Sequence, residues 1–148
     1  MKFIVLFGSK SYEHEISIIS AISMQKVIKD EIIYIFIDKN RKMYHIPNNI
    51  IKSTIFSSGE YQKCDIVNFC ENGFIKKRLF SNQLLEFDVV LNLVHGGDGE
   101  DGTIASLFKF FNIPFIGPRN LASVVSSNKF LTKSYSKDND VKTLECKY

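Results

Sequence analysis

An open α/β sheet, mostly parallel, flanked by helices and carrying a small β-hairpin excursion, is the fold class predicted by three observations. Short β-branched apolar runs, Lys2–Phe7, Ile32–Asp38 and Val89–Val94, alternate with stretches of helical periodicity. Polar loops follow the first and third of these runs, at Gly8–Glu15 and His95–Gly102. The length of 148 residues and an apolar fraction of 45% suit one domain with a substantial core.

The elements follow in order. Lys2–Phe7 is a strand, and Gly8–Glu15 the polar loop after it. From Glu15 to Lys29 a helix is expected, with Ile16, Ile19, Ile22 and Val27 as its apolar face. Lys26 and Lys29 in its last turn complement the helix dipole. Ile32–Asp38 closes a β-loop-α-β unit, which implies a right-handed crossover between parallel strands.

Residues 39–86 are less regular. Met43–Ile46 reads as a short strand and Pro47–Gly59 as loop. Asp65–Phe69 and Phe74–Leu79 flank Glu71-Asn72-Gly73, a hairpin pattern because Asn-Gly tolerates positive φ. This middle is read as a peripheral excursion and not as a second domain. Beyond it come strand Val89–Val94, a glycine loop, and helix Thr103–Phe111 with Ile104, Leu107, Phe108 and Phe111 on one face. A short strand Pro114–Ile116 precedes the turn Gly117–Asn120, with Asn120 as helix N-cap and Leu121, Val124 and Val125 as the next apolar face. A further helix, Ser127–Lys137, carries Leu131 and Tyr135 on one side; Val141–Tyr148 reads as extended.

The bulk properties exclude several classes. A net charge of +3, with lysines scattered apart from Lys76-Lys77-Arg78, argues against nucleic acid as a partner. Cys64, Cys70 and Cys146 have neither metal-type nor redox-type spacing and read as free thiols in a reducing compartment. The first apolar run is too short for a signal peptide or a membrane span, so a cytoplasmic location without membrane association is expected.

The chemistry concentrates in the two loops. Loops that follow parallel strands emerge on one edge of the sheet, so Glu13, His14, Glu15, His95, Asp98, Glu100 and Asp101 are expected to converge. Gly97-Asp98-Gly99-Glu100-Asp101-Gly102 matches G-x-G-x-x-G between a strand and a helix, which makes a dinucleotide-binding Rossmann-type domain the alternative reading. Three facts oppose it. The motif lies after a later strand, the first β-α turn has one glycine, and three carboxylates would face the pyrophosphate. A helix start offers a phosphate about 1 kcal/mol. Each like-charge pair about 4 Å apart costs about 4 kcal/mol at an effective dielectric near 20. Asp101 is expected instead to cap the helix, and Glu100 to complement its dipole. No spacing specifies a metal site around His95, and His14 reads as a solvated loop residue.

Both loops resemble motifs of the D-alanine–D-alanine ligase family, in its N-terminal, pre-ATP-grasp domain. Leu6-Phe7-Gly8-Ser9-Lys10-Ser11-Tyr12-Glu13-His14-Glu15-Ile16-Ser17 is similar to the family's opening motif, with Ser9 where a second glycine is usual. His95-Gly96-Gly97-Asp98-Gly99-Glu100-Asp101-Gly102-Thr103 resembles its His-Gly-x-x-Gly-Glu-Asp-Gly motif. Ile113-Pro114-Phe115-Ile116-Gly117 and Ala122-Ser123 through Lys129 continue the likeness. The resemblance implies an ATP-dependent enzyme that joins two D-alanines for peptidoglycan through a D-alanyl phosphate, with Mg²⁺ or Mn²⁺. It implies Glu13 as the group that holds the ammonium of the first D-alanine, His95 beside that subsite, and Lys129 approaching the ATP phosphates. The carboxylates of the glycine loop are then expected around the ammonium subsite. The family is commonly dimeric through this domain, so a homodimer is expected. Residues 1–126 would be the ligase-like domain and 127–148 the start of a truncated ATP-grasp region. A chain of this length is expected to be inactive alone, because that region carries most ATP and metal contacts.

Overall fold

The computed structural model describes residues 1–78 and 81–144. Among the described residues eight strands form one sheet: β1 (Lys2–Gly8), β2 (Glu31–Ile37), β3 (Met43–Ile46), β4 (Ile66–Cys70), β5 (Gly73–Lys77), β6 (Asn82–Leu84), β7 (Val89–Asn92) and β8 (Phe115–Ile116). Five α-helices among the described residues accompany them: α1 (His14–Val27), α2 (Ser53–Ser57), α3 (Thr103–Phe110), α4 (Asn120–Ser127) and α5 (Lys129–Asp138). The strand order is β6-β5-β4-β3-β2-β1-β7-β8. Strands β2, β1, β7 and β8 run parallel. The antiparallel strands β3 to β6 extend the same sheet on the β2 side. The excursion is thus a continuation of the sheet and no second domain.

Alternation along β1 divides the core. Ile4 and Leu6 face one side with Ile33, Ile35, Val90, Ile104 and Phe108. Val5 and Phe7 face the other with Ile18, Ala21, Tyr34, Phe36 and Phe56. The hairpin between β4 and β5 turns at Asn72, whose φ of 61° is the positive value that the Asn-Gly pair predicts. Its expected last residue, Leu79, lies outside the described residues, as do positions 145–148 of the expected extended segment.

Four expectations are corrected. The expected loop 47–59 contains α2, because Ile51, Ile55 and Phe56 are buried against the sheet. In α1 the buried residues are His14, Ser17, Ile18 and Ala21, whereas Ile16 and Ile19 are 55% and 57% exposed and Val27 is exposed too. Ile16, Ile18, Ile19 and Ile22 cover two helical faces, so periodicity did not choose between them. Close approach to the sheet did, because small Ser17 and Ala21 fit against it. Asn120 does not cap α4: its amide nitrogen donates to the Gly102 carbonyl at 3.2 Å and to Ser106 Oγ, joining α4 to the start of α3. On α4 the buried residue is Ser123, while Leu121 is 71% exposed. Asn128 supplies the next cap instead, its Oδ1 accepting from the amides of Phe130 and Leu131.

Candidate functional site

Strands β1 and β7 are neighbours in register, with Leu6 opposite Asn92, so their following loops leave the sheet side by side. Ser17 fastens both. Its hydroxyl donates to the Leu93 carbonyl at 2.6 Å and accepts from the Gly8 amide at 2.7 Å, inside the core. Ser11 ties the loops further out, where its Oγ donates to the His95 carbonyl at 2.7 Å and accepts from the Glu13 amide at 3.1 Å. Gly8 must be glycine: its φ is +94° and a Cβ would stand 2.3 Å from the Ile37 carbonyl oxygen.

Between the loops lies an open cleft of 730 Å³ lined by Lys10, Ser11, Tyr12, Glu13, Lys39, Gly96 and Gly97. Glu13 stands at the N-cap position of α1 without capping it, so its carboxylate is left for the cleft. A Cβ on Gly96 would lie 3.0 Å from Glu13 Oε2, so only glycine lets the turn approach that carboxylate without displacing it. His95 is half-buried beside this point, with Nε2 3.2 Å from Ser20 Oγ on α1. Lys129 is exposed as the first residue of α5 and lies outside the cleft lining.

The loops converge as expected, but their charged groups do not share one pocket. Asp98, 9% exposed, is engaged by Arg41. Guanidinium Nε and Nη2 donate at 2.9 Å to its two oxygens, and Ser9 Oγ donates at 2.9 Å as well. The Arg41 hydrogen bonds hold the Asp98 carboxyl below the usual carboxylate range, although burial pushes the other way. Asp101 caps α3 as expected, with Oδ1 accepting from the Thr103 amide at 2.8 Å. Glu15 and Glu100 are exposed. His14 is no solvated loop residue. It is 7% exposed, packs edge-on to Phe36, and its Nδ1 lies 2.7 Å from the Ser9 carbonyl oxygen. That oxygen can only accept, so Nδ1 carries the hydrogen. The expected acidic surround of an ammonium therefore reduces to Glu13, because Asp98 is taken by the Arg41 and Ser9 side chains and Asp101 by the Thr103 amide. Arg41 gave no sign in the sequence: it stands in an unremarked turn 57 residues from Asp98.

The same geometry disposes of the phosphate cradle. The amides of Gly99, Glu100 and Asp101, which a pyrophosphate would need, donate inward to the carbonyls of Gly96 and Gly97. Each glycine of the spacing has a conformational or packing reason: φ is +42° at Gly97 and +92° at Gly102, and Gly99 abuts the Val94 carbonyl. Among the described residues no group of three or more His, Cys, Asp or Glu is placed to hold a metal ion, so the residues present do not fit one. Cys64 and Cys70 are free thiols, which burial makes harder to ionise; Cys146 lies outside the described residues. No helix among the described residues is long and apolar enough to cross a membrane.

An α/β sheet with an open polar cleft at the carboxyl ends of adjacent parallel strands is the class that fold and site define. The family model described as D-ala D-ala ligase N-terminus matches residues 2–118. A D-alanine–D-alanine ligase of Campylobacter jejuni subsp. doylei is 51% identical over 145 residues, covering 98% of this chain and 42% of the relative. One from Helicobacter pylori strain P12 is 49% identical over 146 residues, again covering 42% of its length. The crystal structure of the Helicobacter pylori ligase superposes with a TM-score of 0.89 at 48% identity, over 98% of this chain and 46% of that one. The Coxiella burnetii ligase gives 0.83 at 27% identity, over 98% and 44%. The chain belongs to the D-alanine–D-alanine ligase family and corresponds to its N-terminal part. It spans less than half the length of these relatives.

Proposed function

We propose that this chain supplies the first amino-acid subsite of an ATP-dependent D-alanine–D-alanine ligase, which makes D-alanyl-D-alanine for peptidoglycan through a D-alanyl phosphate. The observation that carries this reading is the Glu13 carboxylate left uncapped in a cleft with Lys10 and Lys39. One anion and two cations around an open cleft suit a zwitterion: the ammonium meets Glu13 through charge-assisted hydrogen bonds, and a lysine balances the carboxylate. Gly96 leaves the space that a methyl-bearing ligand needs beside Glu13, and we assign His95 to the flank of the same subsite. Fixing the amino acid here lowers the entropic cost of bringing its carboxylate to a phosphoryl donor.

Lys129 we assign to the ATP phosphates, as an ammonium at the start of α5. In this reading residues 1–126 form the amino-acid domain, and 127–148 open an ATP-grasp region. Mg²⁺ or Mn²⁺ would neutralise phosphate charge during transfer. No described residues fit such an ion, so phosphoryl transfer belongs to the length that the relatives carry beyond the match. Residues 1–148 alone then bind D-alanine without ligating it. A cytoplasmic homodimer is part of the same proposal.

The test is D-alanine-dependent ADP release by the protein expressed with its full reading frame, and D-alanine binding by residues 1–148 followed through the amide shifts of Glu13, Gly96 and Gly97. Glu13→Gln removes the charge at an exposed position, so folding persists while binding falls by at least about tenfold, the order expected of a charge-assisted hydrogen bond. Unchanged D-alanine affinity in that variant defeats the site assignment. A dinucleotide that shifts these amides while D-alanine does not would favour the alternative class.

A further inference from the structure

Resting on that reading of the cleft, we infer that Arg41 is a positioning residue for the amino acid: through Asp98 it fixes the glycine turn against the β1–α1 loop and so sets the geometry at Glu13. One buried carboxylate joins three segments that are distant in sequence. Asp98 sits in the middle of the turn Gly97–Gly99, Ser9 belongs to the loop after β1, and Arg41 to the turn between β2 and β3. Ser9, Arg41 and Asp98 themselves are not lining residues, yet each stands within two positions of one: Lys10 follows Ser9, Gly97 precedes Asp98, and Lys39 precedes Arg41. The clamp therefore holds the frame of the cleft without touching its contents.

Two further features point the same way. Ser9 and Arg41 both adopt left-handed backbone angles, φ 71° and 62°, which side-chain-bearing residues rarely take. Such angles persist where surrounding contacts over-determine them: the Ser9 and Arg41 amides donate to the Ile37 and Asp38 carbonyls, and both side chains meet at Asp98. The fit is also tight at the far end of the turn. A Cβ added to Gly96 would stand 3.0 Å from Glu13 Oε2, and one added to Gly97 3.1 Å from the Lys10 carbonyl oxygen. A shift of the turn changes both separations at once.

Electrostatics alone predicts the opposite sign, which makes the inference testable. Removing Arg41 uncovers the Asp98 charge and would strengthen attraction for an ammonium. Loss of positioning weakens it. Arg41→Gly is the variant of choice, because glycine suits the +62° backbone and the fold does not depend on the guanidinium for its conformation there. In the protein with its full reading frame, Arg41→Gly is expected to raise KM for the first D-alanine roughly tenfold, short of the about hundredfold that a 1 Å misplacement can cost. It leaves kcat within about twofold, since the clamp does not touch the reacting atoms. Arg41→Lys, which keeps the charge but not the two-pronged contact, falls between. Asp98→Asn combined with Arg41→Gly raises KM by less than the two single effects multiplied, the non-additivity expected of one interacting pair.

Amide hydrogen exchange on residues 1–148 supplies a readout independent of activity. The Gly99, Glu100 and Asp101 amides, bonded within the turn, exchange faster in Arg41→Gly while those of β1 and β2 do not change. A folded Arg41→Gly protein with unchanged or lowered KM overturns the inference, and so does unchanged exchange in the turn. If the parent protein releases no ADP with D-alanine, the ligase reading fails, and exchange alone decides whether Arg41 holds the turn.

Discussion

Replacing Gly99 by alanine tests why the glycine loop contains glycine. A Cβ at Gly99 would stand 2.0 Å from the Val94 carbonyl oxygen, 2.6 Å from its carbon and 2.7 Å from the Val94 Cβ. Two of these atoms are backbone, so no side-chain rotation relieves the clash. The turn must open, which strains or breaks the bonds from the Gly99 amide to Gly96 and from the Glu100 amide to Gly97. Overpacking costs about 1–3 kcal/mol, and each hydrogen bond contributes about 1 kcal/mol. A loss of about 3 kcal/mol is expected, which for a domain of this size lowers Tm by roughly 6–12 °C. Gly59 is the matched control. Its φ is +78° with nothing within 4 Å of a Cβ, so Gly59→Ala pays only the left-handed backbone cost of about 1 kcal/mol. Urea unfolding of both variants, compared at equal m-values, measures the difference. If Gly99→Ala loses no more than Gly59→Ala, the packing explanation is wrong, and the glycines must be sought in what the loop binds.

Three more predictions follow from the same contacts. At Ser9, φ +71° favours glycine while Oγ bonds to a buried carboxylate; Ser9→Gly is therefore expected near neutral, and Ser9→Ala to lose about 1–2 kcal/mol, by thermal unfolding. Because the folded-state pKa of Asp98 is depressed, its pairing stabilises fully above the unfolded carboxylate range and is lost as pH falls through the folded value. The stability difference between the parent and Arg41→Gly should accordingly be constant near neutrality and shrink below about pH 4 in urea titrations. Phe108, fully buried and packed on Phe69 and Phe115, should lose about 3–5 kcal/mol as alanine, a cavity effect without change of cleft residues.

The parallel strands, the Asn-Gly hairpin, the face of α3 and the Asp101 cap were all legible from period and local chemistry. Each depends on residues adjacent along the chain or spaced at a fixed interval. So did the pairing of the two loops, since adjacent parallel strands direct their carboxyl ends to one edge. The family resemblance, carried by the motifs around Glu13 and His95, agrees with the match over residues 2–118. The roles of Glu13, His95 and Lys129 still stand as proposals.

Local rules failed where two surfaces had to fit. The apolar face of α1 was misjudged because four isoleucines serve two sides equally, and the contact selected Ser17 and Ala21 for their small size. Asn120 has an ideal capping composition, yet the packing of α4 against α3 directed its amide elsewhere. His14 and Asp98 differ from their expected states for one reason: each is buried against a residue distant in sequence, His14 against Phe36 and Asp98 against Arg41, which no short window contains. The parallel strands and the two loops between them and their helices were thus written in local sequence, because backbone preference and apolar period act over a few residues. Helix α2 and strand β6 were not. The charge each loop presents was decided in tertiary space. Arg41 takes Asp98 out of the cleft, and Glu13 is left as its carboxylate.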